Sequence, residues 1–144
     1  MATEIRRLTM DDFDEIMRVW SDAGLPIKPH GRESREQFAV EIDSPQCAVF
    51  GLFEEGCMLA VGIANWDGRR GWINRVAVDP DRRGEGLAGI MVRKCEDFLH
   101  ASGAHVICAL IEDINYPSIS CFQKEGFRGL ENIRYFVKYD SPES

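Results

Sequence analysis

The residues with the most chemical content form one string, DPDRRGEGLAG, from Asp79 to Gly89. A glycine-rich turn running into a helix presents free backbone N–H groups and the positive end of the helix dipole, the combination that receives a phosphate. Gly84 and Gly86 carry no Cβ, so backbone and phosphate can approach closely, and Arg82 and Arg83 add positive charge beside the turn. Gly84, Gly86 and Gly89 also satisfy G-x-G-x-x-G, the dinucleotide fingerprint, but their context does not. In that motif the glycines follow a strand almost at once and open a series of strand–helix repeats. Here Asp79–Arg83 intervene after Val78, and only one such repeat follows.

The elements that must position this turn are legible from periodicity. Glu4–Leu8 alternates as a short strand, and Thr9 with Asp12 resembles a capping box. Phe13, Ile16, Met17 and Trp20 then share one helical face. Gly24, Pro26 and Pro29 break that helix, and Ser34 caps a second one reaching about Ile42. Cys47–Glu54 and Cys57–Trp66 flank Glu55-Gly56, a hairpin signal. Asp67-Gly68 marks another turn, and Gly71–Val78 is a third strand in this run. The glycine string opens an amphipathic helix with Leu87, Ile90, Met91, Cys95, Phe98 and Leu99 on its apolar side, stopped at Gly103. His105–Ile111 reads as a buried strand. Pro117 opens a helix closed by Gly126. Arg128–Ile133 and Tyr135–Tyr139 are expected to be a closing pair of strands, and 140–144 a short flexible tail. The segment from Ile73 to Ile111 implies a right-handed crossover between parallel strands.

Bulk properties narrow the function further. The chain has 144 residues, enough for a single domain with one sizeable core. The formal net charge of −7 disfavours nucleic-acid binding, which needs a basic face. No apolar run approaches the roughly 20 residues that span a bilayer. The first residues lack the apolar core of a secretory signal, so a cytoplasmic setting is expected. The five cysteines show no C-x-x-C pair, and there are only three histidines to join them. They read as reduced thiols, and no metal is expected.

The string Val76–Ala88, VAVDPDRRGEGLA, resembles the signature of the GNAT superfamily of N-acetyltransferases, whose core Arg/Gln-x-x-Gly-x-Gly/Ala is met by Arg83–Ala88. The segment from Asn115 through Cys121-Phe122-Gln123-Lys124-Glu125-Gly126-Phe127 resembles the second motif of that superfamily. D-G-x-R-G-W at Asp67–Trp72 is similar to a bacterial and archaeal subgroup. The resemblance implies an α/β fold in one domain over 1–144. Its sheet would be mixed and mostly antiparallel, with a splayed parallel strand pair and helices on both faces. It implies acetyl-CoA as co-substrate. Main-chain groups of Val76, Ala77 and Val78 would pair with the pantetheine arm, and those of Arg83, Gly84, Glu85, Gly86, Leu87, Ala88 and Gly89 would hold the pyrophosphate. Asn115 and Phe122 would border the arm on its other side.

The reaction so implied is attack by a neutral amine on a thioester, with a small-molecule or peptide amine as acceptor. The family's usual acid, a tyrosine, falls on Phe122. Its usual base, a glutamate, falls on Leu110, and a third acidic site falls near Trp72. Replacement candidates are Glu112, Asp113, Tyr116 and Cys121. Asn74 and Arg75 lie on the first cleft strand and are expected on opposite faces, since strand side chains alternate. Arg32 or Lys28, in the loop between the first two helices, could grip an acceptor carboxylate. Without a dedicated base the enzyme should favour amines of low pKa. An alternative is a CoA-binding module that has lost its chemistry. A homodimer through the closing strands is also compatible with the resemblance.

Overall fold

The computed structural model describes residues 3–144, and its central feature is a five-stranded sheet that comes apart at one edge. The elements are β1 (Thr3–Arg7), α1 (Phe13–Asp22), α2 (Arg35–Asp43), β2 (Cys47–Glu54), β3 (Cys57–Trp66), β4 (Gly71–Val78), α3 (Leu87–Ser102), β5 (Ile107–Cys108) and α4 (Tyr116–Lys124). Strands lie in chain order, antiparallel from β1 to β4 and parallel between β4 and β5. α1 and α2 cover one face, where Ile16, Val19, Trp20 and Phe38 pack on Val49, Val61, Ile63 and Ala77. α3 and α4 cover the other, where Leu87, Met91, Cys95, Leu99 and Phe122 pack on Leu52, Ala60 and Ile73. This is the single-domain α/β arrangement expected from the sequence, with a helix layer on each side of a mixed sheet.

Local chemistry explains the boundaries. The Thr9 hydroxyl accepts from the Asp11 N–H at 3.2 Å and the Asp12 carboxylate from the Thr9 N–H at 3.0 Å, so the capping box leads the chain into α1. The Ser34 hydroxyl caps α2 through the Gln37 N–H. Glu55 and Gly56 both take positive φ, 52° and 79°, which is the twist a two-residue hairpin turn requires.

The turn before β4 rests on one carboxylate. Asp67 accepts from the N–H groups of Arg69 at 2.7 Å and Arg70 at 2.6 Å, and from the Trp72 indole at 3.0 Å. Those donors hold its carboxyl down at about 2, led by the Arg70 N–H. The D-G-x-R-G-W string is therefore a built turn that fixes the first residues of β4. A carboxyl lowered from 3.8 stabilises the fold above that pH and ceases to do so as pH falls through 2. Asp67→Asn should thus lower the unfolding midpoint at neutral pH, and the gap from wild type should narrow as pH drops below 3.8. Thermal melts across an acid series check this.

Two sequence expectations need correction. The strand expected over His105–Ile111 pairs with β4 only at Ile107 and Cys108, with the Gly71 N–H donating to the Val106 carbonyl at 2.9 Å. Beyond it the chain keeps the alternation without a partner: Ile107, Ala109 and Ile111 pack on the α3 side, and Leu110 is exposed. The closing strands Arg128–Ile133 and Tyr135–Tyr139 are not formed. A strand needs an edge to bond to, and β5 ends at Cys108, so the apolar residues Ile133, Tyr135, Phe136 and Val137 stay exposed.

Candidate active site

Separation of β4 from β5 creates the site. Their last paired residues are Trp72 and Cys108, and from Ile73 to Val78 the one strand β4 pairs with among the described residues is β3. The main-chain edge of Val76–Val78 thus faces a gap, and the glycine turn closes that gap at its far end. Gly84 and Gly86 adopt φ of 85° and 79°, and an added Cβ at either would meet no protein atom within 4 Å. The amides of Leu87, Ala88 and Gly89, in the first turn of α3, have no acceptor inside the helix. This open, donor-rich concavity fits a pyrophosphate.

Side chains around the turn divide into two kinds. Arg82 is held by Glu54 at 3.1 Å and by Glu85 at 2.7 Å, so its charge is already neutralised. Arg83 forms no ion pair among the described residues and touches only the Ala23 carbonyl, at 3.4 Å. Of the two arginines read from the sequence, Arg83 is the one open to an anion. Gly89 has a packing reason as well, since a Cβ there would lie 2.9 Å from Oε2 of Glu125. The same oxygen pairs with Arg93 at 2.7 Å, tying α4 to α3.

A bulge shapes β4 on its β3 side. The register passes from Val61↔Ala77 to Ile63↔Asn74, so Arg75 and Val76 together oppose Gly62. Arg75 takes φ of 57° to accommodate the extra residue. This overturns the expectation that Asn74 and Arg75 point to opposite faces, because a left-handed residue interrupts the alternation. Both project toward α1 and α2. Asn74 Nδ2 donates to Asn65 Oδ1 at 3.2 Å. The Arg75 guanidinium lies 4.6 Å above the Trp20 ring and donates to the Pro26 carbonyl at 2.8 Å. Glu33 lies 4.0 Å from it. Burial pushes the Arg75 pKa down, Glu33 opposes that shift, and Arg75 Nε is buried without a partner.

The acid and base positions behave as packing or surface residues. Phe122 is buried in the α3 layer with its ring edge-on to Phe127, and Leu110 faces outward. Trp72 is held by Asp67. Glu112, Asp113 and Tyr116 are exposed and make no side-chain hydrogen bond among the described residues. Cys121 is half-buried, and desolvation pushes its thiol pKa up. The Asn115 side chain caps α4 through the Ser118 N–H at 3.3 Å, an anchoring role that leaves its Nδ2 unused. Arg32 is exposed and lines a cavity of about 570 Å³ with Lys28 and Tyr139–Pro142, where Lys28 Nζ reaches the Pro142 carbonyl at 3.2 Å.

Sequence reasoning missed Glu33, Glu41 and Asn65. Glu33 is buried, its carboxylate accepting from the Lys28 N–H at 2.7 Å, which folds the α1–α2 loop back on itself. Glu41 is half-buried on α2, and burial pushes its carboxyl pKa up. An acidic residue on an amphipathic helix reads as solvated, and only the bulge in β4 shows what it faces.

Comparison with known proteins agrees with this geometry. The profile of the acetyltransferase (GNAT) family matches residues 4–127. An acetyltransferase of Yersinia pseudotuberculosis is 25% identical over 140 residues, covering 90% of this chain and 91% of its own. Among solved structures, the PaiA N-acetyltransferase of Thermoplasma acidophilum, in complex with coenzyme A, superposes with a TM-score of 0.78 at 17% identity, covering 89% and 91% of the two chains. The ribosomal-protein-S18-alanine N-acetyltransferase of Escherichia coli superposes with a TM-score of 0.74 at 22% identity, covering 88% and 78%. No helix among the described residues is long and apolar enough to cross a membrane. With its parted parallel strands and a left-handed glycine turn at the mouth of the gap, the chain belongs to the GNAT family of acetyl-CoA-dependent N-acetyltransferases.

Proposed function

We propose that the acetyl group passes to a primary amine that enters from the α1–α2 side and attacks beside Asn74. The observation that carries this reading is the unpaired edge of β4 from Ile73 to Val78, which ends on the donor-rich turn at Gly84–Gly89. Acetyl-CoA then lies with its pyrophosphate on that turn, near Arg83, and its pantetheine arm bonded to main-chain groups of Val76, Ala77 and Val78. Asn115 Nδ2 borders the arm. The thioester comes to the bulge at Asn74 and Arg75, on the face that α1 and α2 cover.

The acceptor is a small molecule or a peptide end. Lys28 and Arg32 support one that carries a carboxylate, which a guanidinium binds through two parallel hydrogen bonds. The three usual acid and base positions hold Phe122, Leu110 and Trp72, so the reaction depends on how much neutral amine the acceptor itself supplies. From reference pKa values, roughly a tenth of an α-amine is neutral at neutral pH, against well under a thousandth of a lysine side chain. A thiolate of reference pKa about 8.5 leaves without strong acid assistance. An α-amine is therefore the preferred nucleophile. The five cysteines are all free thiols, which supports a reducing compartment such as the cytoplasm. A homodimer through the exposed segment 130–139 is compatible with its unpaired apolar residues.

Rates of thiol release with an alanine-terminated peptide, an Nα-blocked lysine and spermidine test the acceptor class. The peptide should be fastest at neutral pH, by about tenfold or more over the lysine. A faster lysine would overturn the α-amine assignment.

A further inference from the structure

Arg75 is an outlier within its strand. Among the described residues two that are not glycine take positive φ, and the other, Glu55, sits in a hairpin turn. A left-handed arginine inside a strand persists only where its neighbours enforce it. One neighbour holds the main chain, since the Trp20 indole N–H donates to the Arg75 carbonyl at 2.9 Å. Three groups hold the side chain. The guanidinium lies 4.6 Å from the centre of the Trp20 ring. Its Nη2 donates to the Pro26 carbonyl at 2.8 Å and lies 4.0 Å from Oε1 of Glu33.

Pro26 and Glu33 bracket most of the segment that joins α1 to α2, and what lies between them is bonded to itself. The Lys28 carbonyl accepts from the N–H groups of Gly31 at 2.9 Å and Glu33 at 3.1 Å. Oε1 of Glu33, the oxygen that faces Arg75, also accepts from the Lys28 N–H at 2.7 Å. Lys28 and Arg32 therefore belong to a closed unit, and Arg75 reaches both ends of it. The Arg75 side chain is 21% exposed and that of Glu33 8%, so water screens this pair less than it would a surface ion pair. Arg75 is poorly placed to grip a ligand itself. A carboxylate fork needs two adjacent N–H groups, whereas Nη2 is taken by Pro26 and Nε is buried without a partner.

We propose that Arg75 is a positioning residue for the acceptor: it pins the segment from Pro26 to Glu33 to the β4 bulge and so sets where Lys28 and Arg32 stand relative to the attacking amine. This rests on the reading that the amine enters from the α1–α2 side. The bulge thereby joins the two halves of the site. Its backbone borders the thioester, and the Arg75 side chain fixes the acceptor segment. Changing that side chain leaves the Trp20 bond to the Arg75 carbonyl in place, so acceptor binding loosens while the cofactor half stands.

The test compares wild type with Arg75→Met, Arg75→Lys and Glu33→Gln, using whichever of the three amine probes wild type acetylates fastest. Arg75→Met keeps an unbranched stem over Trp20 and loses both ties. Its KM for the amine should rise about tenfold or more, the worth of one hydrogen bond to a charged group. Its kcat at saturating amine and its acetyl-CoA affinity should stay within a few fold of wild type. Arg75→Lys, whose ammonium still reaches toward the Pro26 carbonyl, should fall between the two. Glu33→Gln separates positioning from direct contact by sign. KM rises if Arg75 acts through the segment, and falls if Arg75 binds the acceptor, because losing the carboxylate frees the guanidinium. Hydrogen exchange reads the pin without turnover: amides of Lys28, Gly31 and Glu33 should exchange faster in Arg75→Met, with those of β2 and β3 unchanged. An unaltered KM in Arg75→Met, a loss carried by kcat or by acetyl-CoA affinity, a lower KM in Glu33→Gln, or unaltered exchange would each overturn the proposal. A wild type that releases thiol with none of the amines would contradict the reading of the acceptor, and the exchange result alone would then decide whether Arg75 pins the segment.

Discussion

Gly86→Val is expected to remove acetyl-CoA binding while leaving the fold standing. Gly86 sits at φ of 79°, immediately before the first turn of α3, with nothing near enough to obstruct a side chain. The substitution therefore costs the apo protein only backbone strain, about 1–2 kcal/mol for a side chain in the left-handed region, somewhat more for a β-branched one. The ligand loses far more. A Cβ with two methyl groups beside the Leu87 and Ala88 amides occupies the space a phosphate needs to approach them. Relief of the strain by turning Gly86 out of the left-handed region would also tilt those amides away. We expect the dissociation constant to rise about 100-fold or more, equal to about 2.7 kcal/mol or more. Titration calorimetry with acetyl-CoA measures this, and a melt shows that the protein is still folded. Gly89→Ala should behave differently, since its Cβ meets Glu125 and strains the α3–α4 contact.

Trp20→Ala should produce the largest loss of stability among single changes on the acceptor face. Trp20 is 1% exposed, packs edge-on against Phe38 with ring centroids 5.8 Å apart, and lies beneath the Arg75 guanidinium. Its indole N–H donates to the Arg75 carbonyl at 2.9 Å, on the residue where β4 leaves regular geometry. Truncation leaves a cavity and an unpaired carbonyl together. The expected cost is about 3–5 kcal/mol, a melting temperature lower by roughly 10 °C or more. Trp20→Phe separates the two contributions. It keeps most of the apolar area and loses the donor, for about 1–2 kcal/mol. Because the lost bond holds the bulge, kcat should fall in Trp20→Phe by more than its stability loss explains.

Legibility of the fold followed whichever signal was local. The hairpin at Glu55-Gly56, the capped start of α1 and the Gly103 stop of α3 are each dictated by residues within a few positions, and all stand where periodicity and turn chemistry place them. Segment 128–139 fails for a non-local reason. Its alternation of Ile133, Tyr135 and Val137 is genuine, but a strand also needs an edge, and β5 provides only Ile107 and Cys108. The site divides in the same way. The glycine turn is a local object, and its φ values follow from Gly84 and Gly86. The neutralisation of Arg82 by Glu54 crosses from β2, and the shared face of Asn74 and Arg75 depends on a bulge that strand alternation cannot announce.

The most direct test of the account follows free thiol and acylated amine together. Wild type is mixed with acetyl-CoA and the alanine-terminated peptide, and both products are counted over time. The account predicts that thiol appears only when amine is present, in equal amount to acetylated peptide, and that Gly86→Val gives neither. Binding of acetyl-CoA with no amine-dependent thiol release, for this peptide or for the lysine and polyamine probes, would contradict it and leave a CoA-binding module without chemistry.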